Sequence, residues 1–318
     1  MQKFLNKIIC GDCIEVLSKV KKPFADLIFA DPPFNIGYKY DKYNDKQQRQ
    51  NYVAWTKDWM TVCRKVLKPH GSFYIAIGDE YAANVKIIAD ESDLFLRNWI
   101  IWHYTFGQQM KKKFARSHTH IFYFVNDKKN FTFNDYAARV PSDRQLIYND
   151  SRANPAGKMP DDVWTQYSRV CGTFKERTGW HPCQMPENLL KRVIAVSSNP
   201  GDCVLDPFSG SGTTPAAAYQ LGRNYVAVEI SEKYVENANR RLAKLKSCAG
   251  RSDANLFFSS AELSELKRLL SDMDMSAHEM TCDKNLLELF TNQFTVRMNN
   301  GRRYRTQDIV TALRDSAG

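Results

Sequence analysis

The chain has 318 residues, of which 43% are hydrophobic, and it carries a formal net charge of +10. This length suits a soluble globular protein with one large α/β domain and an appendage, and no apolar stretch approaches the roughly 20 residues that a membrane-spanning helix needs. Because the start MQKFLNKIICGD lacks the long apolar segment of a signal peptide, we expect a cytoplasmic protein without a membrane partner, while the basic surplus favours a polyanion such as nucleic acid.

Predicted strands and helices alternate along residues 1–248. KIICGDCIEVLSKV predicts a short strand, a turn and a helix, and LIFA, residues 27–30, predicts a buried strand. A helix over 48–67 leads to the strands in KPHGSFYIAIG, WIIWHYTFG and HIFYFV, and residues 127–180 lack clear periodicity. A helix from about Glu187, the strand CVLDPF, a helix after GSGTT, the strand NYVAVEI and a charged helix follow. This alternation predicts an α/β fold with a mostly parallel, twisted sheet and helices on both faces.

Residues 249–318, the C-terminal extension, carry helical patterns near 259–271, 282–291 and 306–315. The stretch NNGRRYRTQDIV surrounds Tyr304 with arginines, namely Arg302, Arg303 and Arg305. An accessory clamp on a nucleic acid such as DNA, a dimer contact and a helical cap on the main domain are three open interpretations of this extension.

The eight cysteines are scattered, without the dense spacing of a secreted disulfide scaffold. Cys10 and Cys13 form one close pair, but a zinc site needs a second pair at comparable spacing. We therefore expect reduced thiols and no metal site.

The stretch LIFADPPFNIG, residues 27–37, places an acid, two prolines and an aromatic at the end of a buried strand. Pro32 and Pro33 donate no backbone hydrogen bond and have a fixed φ, so they form a rigid tip beside Asp31 and Phe34. Ligands of open α/β sheets bind at the carboxyl ends of strands, which makes this tip a candidate for chemistry. On this stretch alone, an Asp that merely caps a following helix is an equal alternative.

The stretch VLDPFSGSGTTPAAA, residues 204–218, leads from a buried strand through Gly210, Ser211 and Gly212 into an Ala-rich helix. Glycines let the backbone approach a ligand closely, and helix-terminal amides can hold a carboxylate. No Gly-Lys-Ser/Thr follows, which argues against a Walker-type phosphate loop. Glu229 ends the next strand, where an acid typically accepts hydrogen bonds from ribose hydroxyls. Together these features indicate a cofactor that contains a nucleoside.

The chain resembles the amino-group DNA methyltransferases of the β group, which use S-adenosylmethionine. DPPF at 31–34 matches that family's catalytic motif, DPFSGSGTT matches its cofactor motif, and GWHPCQMPENLLKRV resembles the segment before the cofactor motif. The resemblance spans about residues 8–246. It implies a Rossmann-like methyltransferase fold with circularly permuted motif order and a small helical C-terminal extension.

The resemblance also implies a role for each matching residue. Glu229 would bind the ribose and Asp12 would reach the adenine amine of the cofactor. Met185 departs from the family, which often has Lys there. The remaining cofactor contacts would come from His181, Pro182, Gln184, Asp206, Phe208, Gly210, Ser211, Gly212 and Thr213.

The catalytic tip implied by the resemblance has a chemical rationale. An exocyclic base amine is a poor nucleophile because its lone pair is delocalised into the ring. The Asp31 carboxylate and the Pro32 carbonyl can each accept an amine hydrogen, and Phe34 can stack on a base extruded from the duplex. Pro33 keeps the tip rigid. Direct in-line transfer then needs neither a covalent enzyme intermediate nor a metal.

Basic residues interleaved with aromatic ones lie between Trp99 and Trp180, where the family places its target-recognition region, about 107–180. This pattern is typical of a surface that contacts phosphates and bases, although a solvated loop is an equal alternative for any single Lys. We expect duplex DNA as the partner, with a homodimer and a cognate restriction endonuclease left open. The candidate DNA contacts are Lys111, Lys112, Lys113, Arg116 and His118.

The expected enzyme is a site-specific DNA methyltransferase that acts on the N6 amine of adenine, because the family associates Asp at the position of Asp31 with adenine. The alternatives are an N4-cytosine enzyme, an RNA or protein methyltransferase, and a catalytically silent DNA-binding relative. The Pro-Cys-Gln triplet at Cys183 is the nucleophile motif of cytosine carbon-5 methyltransferases. In those enzymes it follows the cofactor loop, whereas here it precedes it, so this alternative is disfavoured.

Overall fold

A computed structural model describes residues 4–108, 110–148, 150, 152–154, 157–249, 258–298 and 304–315. Arg302 and Arg303 of the basic stretch in the C-terminal extension lie outside these residues. None of the helices in this described part of the chain is long and apolar enough to cross a membrane.

The strands and helices follow the predicted alternation. The sequence patterns had not indicated the helices Asp79–Glu91, Asp135–Ala138, Asp143–Leu146 and Ala277–Cys282 or the short strand Val163–Trp164. The strands are β1 (Lys7–Cys10), β2 (Ala25–Ala30), β3 (Leu67–Ile77), β4 (Phe95–Gln108), β5 (Arg116–Val125), β6 (Val163–Trp164), β7 (Cys203–Asp206) and β8 (Asn224–Glu229). The helices are α1 (Cys13–Ser18), α2 (Arg49–Val66), α3 (Asp79–Glu91), α4 (Asp135–Ala138), α5 (Asp143–Leu146), α6 (Glu187–Ser197), α7 (Thr213–Gln220), α8 (Glu232–Ala249), α9 (Ser260–Asp272), α10 (Ala277–Cys282), α11 (Lys284–Met298) and α12 (Thr306–Asp315).

The strands form one sheet in the order β1-β8-β7-β2-β3-β5-β4-β6. Neighbouring strands are parallel except for β5, which is antiparallel to both β3 and β4. Only residues 109–115 connect β4 to β5, and a parallel connection needs a crossover of a dozen or more residues, so these strands form a hairpin. The predicted fold class, a mostly parallel sheet with helices on both faces, is confirmed.

Alternate residues of β2 pack against helices on opposite faces of the sheet. Leu27 and Phe29 belong to the core beneath α6, α7 and α8, whereas Ile28 and Ala30 belong to the core beneath α1, α2 and α3. All four side chains are fully buried. A strand covered on both faces explains why LIFA is a continuous apolar run rather than an alternating one.

The carboxyl ends of the parallel strands lie at one edge of the sheet. There β2 ends at Ala30, just before Asp31, β7 ends at Asp206, and β8 ends at Glu229. Because β5 runs in the opposite direction, its first residue, Arg116, reaches the same edge. This edge therefore gathers the predicted site residues from distant parts of the chain.

The C-terminal extension has a small core of its own. Phe290 and Phe294 of α11 are fully buried in it. Tyr304 belongs to the same core, with its ring centroid 4.7 Å from that of Phe294, whereas Arg305 is exposed and pairs with Asp308. Tyr304 is therefore part of the extension's own core, and the three interpretations of the extension stay open.

A buried ion network joins the C-terminal extension to the rest of the protein. The side chain of Asp272 in α9 is fully buried, with carboxylate oxygens 2.9 Å from Arg192 of α6, 2.9 Å from Arg297 of α11 and 3.4 Å from Arg268. It also accepts a hydrogen bond from the hydroxyl of Tyr167, in the predicted target-recognition region. Burial alone would raise the pKa of Asp272, but the three arginines outweigh it and hold this pKa well below its usual range.

Candidate active site

A cavity of about 600 Å³ lies at the carboxyl edge of the sheet, within the size range of small-molecule and cofactor sites. Its walls come from the segments that follow β1, β2, β7 and β8, together with parts of β4 and β5. The predicted catalytic and cofactor residues that line it are Asp12, Asp31, Pro32, Pro33, Phe34, His181, Pro182, Gln184, Asp206, Phe208, Gly210, Ser211, Thr213 and Glu229.

The tip at 31–34 is held in place by the helices α2 and α3. The hydroxyl of Tyr52 in α2 donates a hydrogen bond to the carbonyl of Pro33, at 2.6 Å. Asn35, with a left-handed φ of 58°, joins its side-chain amide to the hydroxyl of Tyr81 in α3 at 2.8 Å. These contacts, which we did not predict, fix the direction in which Asp31 meets the cavity.

The ring of Phe34 lies against Gly78, the residue before α3. A Cβ atom at Gly78 would be 3.4 Å from the ring, which is ordinary contact distance. Phe34 therefore forms one wall of the cavity, where a planar ligand can lie against its exposed face.

Asp31 and Asp206 place two acidic groups in this enclosed site. Burial raises the pKa of Asp31 to about 7, and the neighbouring charge of Asp206 contributes to the shift. Burial likewise raises the pKa of Asp206 to about 7, against hydrogen bonds from Thr214 and the backbone N–H of Phe208. Two acids with raised pKa values in one cavity mark a candidate functional site, and they favour binding of a cation.

Glu229 ties the glycine loop to the end of β8. Its two carboxylate oxygens accept hydrogen bonds from the backbone N–H groups of Gly210, at 2.8 Å, and Ser231, at 2.9 Å. Each oxygen retains a second lone pair for a ligand hydroxyl. Burial raises the pKa of Glu229, although these backbone hydrogen bonds oppose the shift.

Gly210 and Gly212 have different roles. Gly210 has a φ of +47°, and a Cβ there would lie 2.9 Å from the ring of His181, so only glycine lets this loop and this ring meet. Gly212 does not line the cavity. A Cβ at Gly212 would lie 2.8 Å from the Cβ of Ala238 in α8. Gly212 therefore has a packing role between α7 and α8, and its predicted cofactor contact stays a prediction.

Two other predicted cofactor residues also make structural contacts. Asp12 caps α1, because its Oδ1 accepts hydrogen bonds from the backbone of Ile14 and Glu15. Gln184 accepts a hydrogen bond from the N–H of Thr178 and donates one to the carbonyl of Glu176. Their roles toward a cofactor stay predictions that use the remaining lone pairs and hydrogens of these groups.

Arg241 of α8 holds the cofactor loop from outside the cavity, a contact that sequence patterns did not indicate. Its guanidinium donates hydrogen bonds to the carbonyl of Ser211 at 3.1 Å and the hydroxyl of Thr213 at 2.9 Å. Glu187 at the start of α6 pairs with the same guanidinium at 2.9 Å. Arg241 is therefore a positioning residue for the loop.

Aromatic and basic residues outside the matched motifs complete the cavity wall. Trp102 and Tyr104 of β4 line it together with Arg169. The Arg169 guanidinium lies 5.8 Å from the ring centroid of Tyr104 and donates a hydrogen bond to the hydroxyl of Tyr38 at 2.8 Å. These side chains provide flat surfaces of the kind that contact a base.

The candidate DNA contacts divide into two groups. Arg116 and His118 line the cavity, and Arg116 forms an ion pair with Asp79 at 2.8 Å. Lys111, Lys112 and Lys113 are exposed on the connection between β4 and β5. The first group is placed to meet a ligand inside the cavity and the second to meet one outside it.

Cys183 lines the cavity close to Asp31 and Tyr40. Burial raises the pKa of the Cys183 thiol, and the charge of Asp31 adds to the shift. A nucleophilic cysteine needs a lowered pKa, so the environment of Cys183 disfavours the carbon-5 methyltransferase alternative.

Comparisons with known proteins identify the family. The DNA methylase family model matches residues 25–240. The type II methyltransferase M.HpaI of Haemophilus parainfluenzae is 37% identical over 238 residues, which cover 74% of this chain and 74% of that protein. The DNA adenine methyltransferase YhdJ of Escherichia coli (strain K12) is 38% identical over 272 residues, which cover 82% of this chain and 87% of that protein.

The same fold is found among solved structures. The PvuII DNA methyltransferase (cytosine-N4-specific) matches with a TM-score of 0.57 and 18% identity, covering 85% of this chain and 95% of that chain. The resemblance drawn from the DPPF and DPFSGSGTT motifs is therefore confirmed, and the chain belongs to the DNA methylase family.

Proposed function

We propose that this protein is a site-specific DNA methyltransferase that transfers a methyl group from S-adenosylmethionine to the exocyclic N6 amine of adenine in duplex DNA. The observation that carries this proposal is that one cavity contains both the Asp31 tip and the glycine loop at Gly210, which Glu229 holds by a hydrogen bond. A methyl donor and an acceptor amine must be held side by side for direct transfer.

The residues of the cavity fit this cofactor. S-adenosylmethionine supplies an electrophilic methyl group on a positively charged sulfur. Asp31 and Asp206, whose pKa values burial raises to about 7, would become stable as carboxylates beside a cation. The free lone pairs of Glu229 suit ribose hydroxyls. Asp12 follows the neighbouring strand β1, also lines the cavity and is available for an adenine amine.

The tip supplies the chemistry toward the acceptor. The Asp31 carboxylate and the Pro32 carbonyl accept the two amine hydrogens, which turns the nitrogen lone pair out of the plane of the base. Asp31 then takes the proton that the methylated nitrogen releases. Phe34 stacks on the base and holds it in this orientation. Tyr52, through the Pro33 carbonyl, keeps these groups from moving.

Adenine is the base that we favour over cytosine. The relative YhdJ is named a DNA adenine methyltransferase and is 38% identical to this chain, and the family associates Asp at the first motif position with adenine. N4-cytosine methylation is the second candidate, named for the PvuII enzyme, whose 18% identity supports a common fold only. A homodimer, a restriction-endonuclease partner and a cytoplasmic location stay predictions.

Long-read sequencing that detects modified bases tests the proposal directly. DNA would come from bacterial cells without other adenine methylation that express either this chain or its Asp31→Ala variant. We expect one enriched sequence motif with methyladenine, absent in the variant. Methylcytosine in that motif would move the activity to the second candidate. An unmodified genome in both samples, despite folded protein that binds the cofactor, would contradict a DNA substrate.

A further inference from the structure

The hairpin formed by β4 and β5 has a tip, residues 110–115, that carries an exposed aromatic ring. Phe114 is 98% exposed, more than any other large hydrophobic side chain in the described part of the chain. Single exposed apolar residues are common on protein surfaces, but a phenylalanine ring held almost entirely in water is typical of a surface that awaits a partner.

The base of this hairpin is fixed at the wall of the cavity. Gly107 and Arg116 both line the cavity, and Gln108 pairs with Arg116 across the two strands. A Cβ at Gly107 would lie 2.3 Å from the carbonyl oxygen of Arg116, so the two backbones approach as closely as glycine permits. The ion pair between Arg116 and Asp79 of α3 adds a second support. The tip therefore extends from the cavity wall in a defined direction.

The charges around Phe114 identify its partner. Lys111, Lys112 and Lys113 precede it and are exposed, and residues 94–126 contain neither Asp nor Glu. An apolar groove of another protein would have to desolvate three ammonium groups, whereas the phosphates of a nucleic acid would pair with them. An aromatic ring with lysines beside it fits the edge of a base stack flanked by phosphates.

We propose that Phe114 inserts into the base stack of duplex DNA next to the nucleotide whose base enters the cavity, while Lys111, Lys112 and Lys113 hold the flanking phosphates. This inference rests on the proposed function, because it supplies the step before transfer. Extruding a base breaks its pairing and stacking, and the inserted ring replaces part of the lost stacking. Phe114 therefore lowers the cost of bringing the base to Asp31.

Two duplexes that differ only opposite the target adenine separate insertion from ordinary DNA binding. One pairs the adenine with thymine, and the other places an abasic site there, so that extrusion costs little. For Phe114→Ala, we expect kcat/KM to fall about tenfold to a hundredfold on the paired duplex and less than about threefold on the abasic one. Phe114→Trp restores the rate on the paired duplex, because tryptophan also stacks.

Phe133→Ala is the matched control. Phe133 lies beyond the far end of β5, where its ring stacks on Tyr123 with centroids 6.4 Å apart, and we expect equal small effects on both duplexes. A Phe114→Ala enzyme that matches the wild type on both duplexes, or whose rate falls equally on both, would overturn the insertion while the proposed function stands. A wild type that methylates neither duplex would overturn both.

Salt dependence tests the lysines separately. The triple replacement of Lys111, Lys112 and Lys113 by alanine should reduce the slope of log affinity against log salt by about 0.9 for each phosphate that the protein no longer neutralises. Phe114→Ala should leave this slope unchanged. If Phe114→Ala instead converts a dimer into a monomer in size-exclusion chromatography, the ring contacts a second copy of the chain and the insertion is wrong.

Discussion

Asp31 and Asp272 are both carboxylic acids enclosed by the protein, yet their surroundings are opposite. Asp31 faces Asp206 in the cavity, and its pKa is raised to about 7 by burial and by this like charge. Asp272 is enclosed with Arg192, Arg268 and Arg297, and these outweigh burial to hold its pKa below the usual range.

The contrast shows that the charge next to a buried acid indicates whether the acid has a functional or a structural role. Burial by itself raises the pKa of both acids, so the neighbouring charge decides the outcome. A buried acid without a counter-charge lowers the stability of the fold, and such acids are typical of ligand-binding and catalytic sites. An acid surrounded by guanidinium groups joins elements of the fold, because its loss would leave a buried cation, here Arg192, without a counter-charge.

The largest expected effect comes from Asp31→Asn, which keeps the shape of the tip and removes its charge. Methyl transfer should fall about 10²- to 10⁴-fold, because an amide accepts the amine proton poorly. Cofactor binding should persist, and the melting temperature should be equal or higher, since a destabilising enclosed charge is gone. Transfer of labelled methyl, calorimetric titration and thermal melts measure these three quantities. Activity within tenfold of wild type would contradict the assigned role.

Asp272→Asn should have the opposite profile. It leaves buried Arg192 without its carboxylate and removes one of two acids from Arg268 and Arg297, which keep Glu265. The free energy of unfolding should therefore fall by about 3–5 kcal/mol, as for other broken buried ion pairs. Urea denaturation measures this change. The control is Asp274→Asn, at an exposed neighbour with a φ of 52° that Asn also tolerates. Equal effects of the two variants would contradict a structural role for the network.

The two acids should also give stability slopes of opposite sign with pH. The folded pKa of Asp31 lies above its unfolded value of about 4, so its contribution to the free energy of unfolding decreases as pH rises from about 4 to 7. The folded pKa of Asp272 lies below that value, so its contribution is present above about pH 4 and is lost as pH falls further. The free energy of unfolding should be measured across pH for both variants. Asp31→Asn should lack the decrease between about pH 4 and 7, and Asp272→Asn should lack the loss below about pH 4.

The pH dependence of the activity should be set by Asp31 and Asp206 and not by Asp272. Below about pH 7, kcat/KM should fall about tenfold per pH unit as Asp31 binds a proton in the free enzyme. Asp206 titrates together with it, so the measured value belongs to the pair. A rate profile that is flat from pH 5 to 8 would contradict the carboxylate form as the active one.

The smallest effect is expected for Cys183→Ser, beside Asp31. Burial raises the pKa of this thiol, which disfavours the nucleophilic thiolate, so we expect it to have no part in the transfer. We expect kcat to change less than about threefold. Loss of activity comparable to that of Asp31→Asn would instead support a cysteine nucleophile, and trapping with a ring-activated cytosine analogue would verify it.

Local sequence patterns predicted the features that are determined by residues close together in the sequence. The apolar run before Asp31, the glycines after Asp206 and the acid at Glu229 lie where their strands end, because strand, turn and helix signals extend over few residues. Helix α3 was missed although Tyr81, Val85 and Ile88 follow helical spacing and are buried.

Contacts between distant segments could not be predicted in this way. Gly212 resembles a cofactor residue in sequence, and only its approach to Ala238 shows the packing role. Arg169 joins the cavity through Tyr38, and no periodicity connects these two positions. The pairing of Arg192 with Asp272 likewise depends on how α6 and α9 pack, which local sequence patterns do not specify.

The ion pair between Arg192 and Asp272 makes the part of the chain that forms the cavity depend on the C-terminal extension. The sequence suggests a boundary near residue 249, and a shortened gene that stops there would encode every residue assigned to the cavity. Arg192 is 1% exposed in the whole protein, and the shortened chain would contain its guanidinium without the counter-ion that α9 provides. We therefore expect the shortened chain to be less stable than the whole protein, and an uncharged residue at position 192 to recover part of that loss.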